Sequence, residues 1–239
     1  MRRMLNYLKF ISMNFKEQIK AFKYKYSKIT SPESLVELHF KTWSHPQHIN
    51  LDAFLKVFKI LNGKPARILE TGTSAWGTDS TRLWDKYVRE YGGELVSIDI
   101  RTEPSRRLKK HLHNSTTLVV EDSVSALSRI NKAFDVYFLD SYDLDLNNPL
   151  PSATHGYLEY LQIKDRLQVG NLIFIDDTPL KIDFLSDEAK AFIENYSVMP
   201  GKGAFVIRDL LTSFSIEVLH HDYCYLALIV NLTPRVKAN

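Results

Sequence analysis

Acids recur at one kind of position in this 239-residue chain. Five apolar runs, 67–70, 94–99, 116–120, 135–140 and 171–176, read as buried strands, and each closes on a carboxylate: Glu70, Asp99, Glu121-Asp122, Asp140 and Asp176-Asp177. In an open parallel sheet ligands bind outside the carboxyl ends of the strands, so these acids fall where chemistry is done. The run after the first strand, Glu70-Thr71-Gly72-Thr73-Ser74-Ala75-Trp76-Gly77-Thr78-Asp79-Ser80, holds two glycines that let the backbone turn close to a ligand. It lacks the G-x-G-x-x-G spacing of a pyrophosphate cradle, and Thr78 stands where a phosphate-binding loop needs lysine. Glu70 would repel phosphates as well.

A nucleoside without phosphates fits better. Asp99, ending the second strand, is placed to grip a ribose diol, and Asp122-Ser123 after the third could meet an adenine amino group and ring nitrogen. That combination points to S-adenosylmethionine. Asp140, Asp176 and Asp177 end what should be adjacent strands, about 4.8 Å apart. Three carboxylates converging there repel one another unless a cation or shared protons intervene, and oxygen ligands alone suit Mg²⁺, Ca²⁺ or Mn²⁺. The plainer reading has one acid capping a helix and another facing solvent. For proton removal the candidates are His155, near the start of a helix, and then Asp143.

Strand–helix alternation positions these groups. Helical stretches near 78–91, 103–113, 123–132 and 152–168 separate the five strands, the pattern of a parallel sheet covered on both faces. Runs 215–220 and 223–231 follow helices near 185–195 and 203–212, and the short link between them demands antiparallel pairing. The expected fold is therefore α/β: a Rossmann-like, doubly wound, seven-stranded sheet, mostly parallel, with a C-terminal antiparallel hairpin. Ser31 with Pro32 announces a helix running to Trp43, and a second spans 51–61. Three units are expected: a basic amphipathic helix over 1–30, a helical extension over 31–65 and the sheet domain over 66–239. Gly201-Lys202-Gly203 reads as a hinge under a lid, or as an ordinary turn, and Cys224 as a small core residue.

Charge is uneven. The net +3 arises because residues 1–28 carry eight basic side chains against Glu17 alone, while the remainder is mildly acidic, so no nucleic-acid partner is expected. Met4, Leu8, Ile11, Phe15, Ile19, Phe22 and Tyr26 recur at helical spacing between the lysines. This segment does not read as a secretory signal, because polar residues interrupt any apolar core. Its stripe is expected to pack on the protein's own body or to form a homodimer, with peripheral contact at an anionic membrane through residues 1–28 as the other reading. A cytoplasmic location, peripheral at a membrane surface if the last reading holds, is expected. A single cysteine excludes a disulfide framework and a cysteine-ligated zinc site.

In strand order, loop position and terminal hairpin, residues 66–231 resemble the class I S-adenosylmethionine-dependent methyltransferases. The resemblance implies Glu70, Gly72 and the following turn (Thr73, Ser74, Gly77 and Ser80) near the methionine moiety, Asp99 at the ribose, and Asp122 with Ser123 at the adenine, with Asp140 closing the cofactor site. Gly77 and Ser80 lie farther from Glu70 than the related E-x-G-x-x-x-G-x-S form places them. Asp140 with the Ile175-Asp176-Asp177 sequence further resembles the cation-dependent O-methyltransferases of the catechol and macrolide-sugar types, which implies a divalent cation, Mg²⁺ or another, on Asp140, Asp176 and Asp177. The catechol-type lysine three residues after the fourth-strand acid is Asp143 here. The function expected is methylation of a hydroxyl on a small molecule or sugar. The alternatives are an NAD-type oxidoreductase and a non-catalytic binding protein on the same fold.

Overall fold

The computed structural model describes residues 16–74 and 77–233. Met4, Leu8, Ile11 and Phe15 of the apolar stripe lie outside them.

Helix α1 (residues 16–26) precedes α2 (Pro32–Trp43) and α3 (Leu51–Leu61). The sheet then begins, as β1 (Ala66–Thr71), α4 (Ser80–Tyr91), β2 (Gly93–Asp99), α5 (Thr102–Leu108), β3 (Thr116–Val120), α6 (Ser123–Arg129), β4 (Val136–Leu139), α7 (Leu150–Ile163) and β5 (Leu172–Ile175). Helices α8 (Asp187–Tyr196) and α9 (Ala204–Ser213) lead to the hairpin β6 (Ser215–His221) and β7 (Tyr225–Asn231). Strand order is β3-β2-β1-β4-β5-β7-β6. The first five strands are mutually parallel, and β7 lies antiparallel between β5 and β6. The order reverses between β1 and β4, so the crevice of the sheet opens above their carboxyl ends.

Alternation along the strands explains the two-sided core. Ile68, Phe138 and Phe174 face one layer and meet Phe40, Phe54 and Phe58 of α2 and α3 and Trp84 of α4. The Phe54 ring lies 5.0 Å from Phe174, 5.2 Å from Trp84 and 5.6 Å from Phe138, centroid to centroid. Leu69, Leu139, Ile173 and Ile175 face the other layer, against Leu127 of α6, Tyr160 and Ile163 of α7, and Val206 and Leu210 of α9. Helices α2 and α3 thus share one core with the sheet, and Cys224 is buried in it.

Local chemistry sets the helix ends. Ser31 caps α2 through a reciprocal pair: its hydroxyl accepts from the Ser34 amide at 3.1 Å, and the Ser34 hydroxyl accepts from the Ser31 amide at 3.0 Å. Helix α7 starts at Leu150, two residues before its sequence pattern suggests, because Pro151 suits a first turn that has no use for its missing N–H.

The described part of α1 corrects the expectation that its stripe packs on the protein's own body. Ala21 and Tyr24 are the buried residues, whereas Ile19, Phe22 and Tyr26 are 40%, 64% and 65% exposed. The inward face is polar in its contacts. Burial pushes the His39 imidazole down to about 4 and so keeps it neutral. Its Nε2–H donates to the Thr78 carbonyl at 2.7 Å, which leaves Nδ1 to accept from the Tyr24 hydroxyl at 3.0 Å. Lys20 and Arg82 stack over the Trp43 ring at 4.4 and 4.1 Å. No helix among the described residues is long and apolar enough to cross a membrane.

Candidate functional site

A cavity of about 370 Å³ opens at the carboxyl ends of β1, β2 and β4. Seven sequence-predicted site residues line it: Gly72, Asp99, Asp122, Ser123, Asp140, Asp143 and His155, joined by Arg101 and Tyr142. Gly72 is indispensable to its shape. Its φ is +85°, and a Cβ there would sit 2.0 Å from the Asp140 carbonyl oxygen, so the β1 turn and the end of β4 touch backbone to backbone.

Glu70, Thr73 and Ser80 do not reach the cavity. The Glu70 carboxylate is fully buried and accepts from Ser80 Oγ at 2.6 Å, Thr81 Oγ1 at 2.5 Å and Ser97 Oγ at 2.5 Å. Burial pushes its pKa up to about 7, and the three hydroxyls pull the other way. Thr73 Oγ1 joins the same group through Ser97 Oγ at 2.8 Å. These residues shape the loop from behind. Ser74 and Gly77 instead line a second cavity of about 750 Å³, beside α1, which shares Arg101 with the first.

At the end of β2 Asp99 is 5% exposed, but its carboxylate is held by Arg101. The Arg101 amide donates to Oδ1 at 2.7 Å, Nε to Oδ1 at 3.0 Å and Nη2 to Oδ2 at 2.7 Å. The Asp99 hydrogen bonds hold the guanidinium pKa above its usual value, against partial burial. Sequence reading missed this arginine, although its place two residues after the acid is the available signal.

After β3, Asp122 caps α6 by accepting from the Ser125 amide at 2.9 Å. Ser123 Oγ lies 3.0 Å from His155 Nε2, and Glu159 Oε1 stands 3.6 Å from the same nitrogen. Glu159 raises the His155 pKa, burial opposing. Two separate expectations therefore meet: the residue expected at adenine and the one expected as base are hydrogen-bonded to each other and serve one wall. Ser123 engages His155 Nε2, so the residue expected as base also forms part of that wall. Asp143 is exposed on the rim.

The acidic centre departs most from expectation. Asp140 and Asp176 are buried and Asp177 nearly so, and the ammonium of Lys202, 2% exposed, sits among them. Nζ lies 2.5 Å from Asp140 Oδ1 and 3.1 Å from Asp177 Oδ2. Asn50 Nδ2 donates to Asp176 Oδ1 at 2.8 Å, and the Tyr223 hydroxyl donates to Asp177 Oδ1 at 2.7 Å. Burial would neutralise Lys202, but Asp140, Asp177 and Asp176 hold it charged, with a pKa well above the usual lysine value. Burial pushes Asp140 well up, the ammonium pulling against it, and raises Asp176 likewise. For Asp177 burial also acts upward, yet the ammonium and Tyr223 prevail and hold it below the usual range.

This arrangement does not fit the divalent cation expected on Asp140, Asp176 and Asp177. The point of convergence is taken by an ammonium, and N–H or O–H donors already engage all three carboxylates. No group of three or more metal-type ligands arranged to hold an ion occurs among the described residues. Gly201-Lys202-Gly203 is correspondingly not a lid hinge. The Lys202 amide donates to the Asp177 carbonyl at 3.0 Å, and a Cβ on Gly201 would lie 2.7 Å from that oxygen, so the segment is pinned against the end of β5. Two polar atoms of this centre are left over, Asn50 Oδ1 and Asp140 Oδ2. Asp140 Oδ2 is buried, belongs to a residue lining the cavity, and has no partner.

No protein-family model matches the sequence, and no curated protein matches it either. Solved structures do resemble it. The methyltransferase MycE from the mycinamycin biosynthetic pathway, in complex with Mg, SAH and mycinamycin VI, superposes with a TM-score of 0.57 at 15% identity, over 86% of this chain and 56% of that one. The SAH-bound methyltransferase PaMTH1 from Podospora anserina gives a TM-score of 0.50 at 19% identity, over 91% of this chain and 96% of that one. The chain has the class I methyltransferase fold, and spans 56% of the length of MycE.

Proposed function

We propose that the protein is an S-adenosylmethionine-dependent methyltransferase acting on a hydroxyl of a small molecule or sugar, with Lys202 in the place of a divalent cation. The observation that carries the reading is the cavity at the β1/β4 divide, where Gly72, Asp99, Ser123 and Asp140 meet. Its chemistry fits a nucleoside sulfonium. The turn comes close without a cluster of amides or a lysine for phosphate, Asp99 can accept from a ribose diol once Arg101 moves aside, and Ser123 with His155 offers polar edges to a purine.

The cofactor supplies a methyl group already activated on a sulfonium, so the protein's share is binding, orientation and removal of one proton. Asp140 is the residue for that proton. Its Oδ1 is fixed by Lys202, its Oδ2 awaits a donor, and burial raises its affinity for a proton. A neutral hydroxyl is the donor that suits it, since a second ammonium beside Lys202 would meet like charge. Lys202 keeps the centre from accumulating three negative charges and fixes the Asp140 rotamer. It acts through Asp140 and is a positioning residue.

The test is calorimetric titration of the full chain with S-adenosylmethionine and, separately, NAD(H), each in the presence of EDTA, followed by product mass analysis over hydroxylated acceptors. S-adenosylmethionine binding and turnover that survive EDTA are expected. Binding of NAD(H) alone would replace the reading with an oxidoreductase. Binding of neither would leave a methyltransferase-fold protein without this activity. EDTA-sensitive turnover would restore the metal.

A further inference from the structure

From the outward face of α1, we infer that the protein docks on anionic lipid surfaces through this helix, a property independent of the chemistry in the cavity. Ile19, Phe22 and Tyr26 form an exposed stripe one turn apart, with the Phe22 and Tyr26 rings 4.6 Å between centroids. At about 100° per residue these three side chains lie opposite Ala21 and Tyr24, the pair that packs on the body. A contiguous apolar face left outward on a helix whose other face is anchored marks a contact surface.

Charge decides with what. Lys16 and Lys23 fall along one margin of the stripe and Lys25 along the other, and Lys16, Lys23 and Lys28 are exposed. Glu17, the one acid of residues 16–28, points the other way, 3.5 Å from Arg82 and 3.8 Å from Arg107. The outward face is therefore apolar and basic with no acid on it. A two-fold pairing of this face with a second copy would oppose lysine rows to lysine rows across a narrow strip. An anionic lipid surface complements both features: apolar side chains enter the headgroup boundary while the lysine stems carry their ammoniums to the phosphates. In the sequence the same spacing continues through Phe15, Ile11, Leu8 and Met4, with Lys9 among them and Arg2 and Arg3 just before Met4.

The experiment is co-sedimentation of the full chain with phosphatidylcholine vesicles, with and without phosphatidylserine, at low and high ionic strength. Pelleting with the anionic vesicles alone, reversed by salt, is expected. Phe22→Glu combined with Ile19→Glu should weaken it about tenfold or more, and Lys16→Ala or Lys23→Ala about fivefold each. These positions are exposed, so circular dichroism and thermal unfolding should be unchanged, which separates lost docking from lost folding. Absence of pelleting with anionic vesicles, or pelleting that the glutamate variants leave intact, would overturn the inference. Light scattering that shows a dimer dispersed by Phe22→Glu would overturn it too, since the stripe would then belong to a second copy.

Discussion

Two acid–base pairings stand at opposite ends of the same sheet crevice and differ in one respect. Asp99 is matched by Arg101, whose side chain is 60% exposed, and Asp140 by Lys202, whose side chain is 2% exposed. Both are close and both join a carboxylate to a nitrogen cation. In water-facing geometry such a pair is worth about 0–1 kcal/mol and opens readily. Buried, the desolvation already spent makes either partner intolerable alone, and breaking the pair costs roughly 3–5 kcal/mol. One pairing can therefore yield to a ligand and the other cannot. The exposed end suits recognition, and the sealed end suits a fixed charge.

The hardest test of this contrast is Lys202→Met. It leaves Asp140, Asp176 and Asp177 together without a cation, and a loss of roughly 3–5 kcal/mol in unfolding free energy at neutral pH is expected. The sign of its pH dependence follows. Without the ammonium the folded-state pKa values of Asp140 and Asp176 rise further and Asp177 loses the main cause of its depression, so the variant's stability is best at low pH and falls as the acids ionise. The deficit should shrink on mild acidification, read by urea unfolding at two pH values. A deficit of the same size at both would mean that Lys202 contributes packing rather than charge.

Next is Asp140→Asn, which keeps the shape while removing the proton acceptor. Lys202 keeps Asp177 at 3.1 Å, so the fold should persist at a stability cost smaller than that of Lys202→Met, while turnover falls by about 10²–10⁴-fold. Unchanged turnover would move the base elsewhere, with Asp143 the next group on the cavity wall.

A third buried acid sharpens the comparison because no cation touches it. Glu70 meets hydroxyls alone, and burial raises its pKa to about 7 against an ordinary 4.5 while those hydroxyls pull it down. A carboxyl with a raised folded-state pKa contributes stability that is complete below its unfolded value and is lost as pH rises through the folded one. Stability should therefore fall by about 2–3 kcal/mol between those two points, and Glu70→Gln should flatten that slope. A wild-type profile without the slope would show the hydroxyls to be as effective as an ammonium.

The two ends also differed in how far the sequence revealed them. Strand-end acids could be found because each follows an apolar run, and the run itself is dictated by burial on both faces. Asp99, Asp122, Ser123, Asp140 and Gly72 were legible for that reason. Lys202 was not, since it lies 62 residues from Asp140 and arrives only through the close packing of Gly201 on β5. The glycine pair around it was visible and suggested mobility, whereas the structure uses Gly201 for close approach. Asn50, 126 residues from the Asp176 it donates to, gave no signal at all. The stripe on α1 was legible as a helix, but not which face would be covered, because Tyr24 and His39 pair through a tertiary hydrogen bond that periodicity does not record.

The smallest effect belongs to the exposed pairing, and it tests the contrast from the other side. Arg101→Ala removes three side-chain hydrogen bonds to Asp99 but leaves the amide at residue 101, 2.7 Å from Oδ1, to hold the carboxylate in place. Unfolding free energy should change by no more than about 1 kcal/mol. If the guanidinium only occupies the ribose position, its removal spares the cofactor that displacement, and affinity for S-adenosylhomocysteine should rise by up to about fivefold. Because the pair is screened, the gain should shrink at high salt. A loss of affinity would instead make Arg101 a ligand contact that swings onto the bound molecule. A loss of stability matching that of Lys202→Met would remove burial as the variable that distinguishes the two ends.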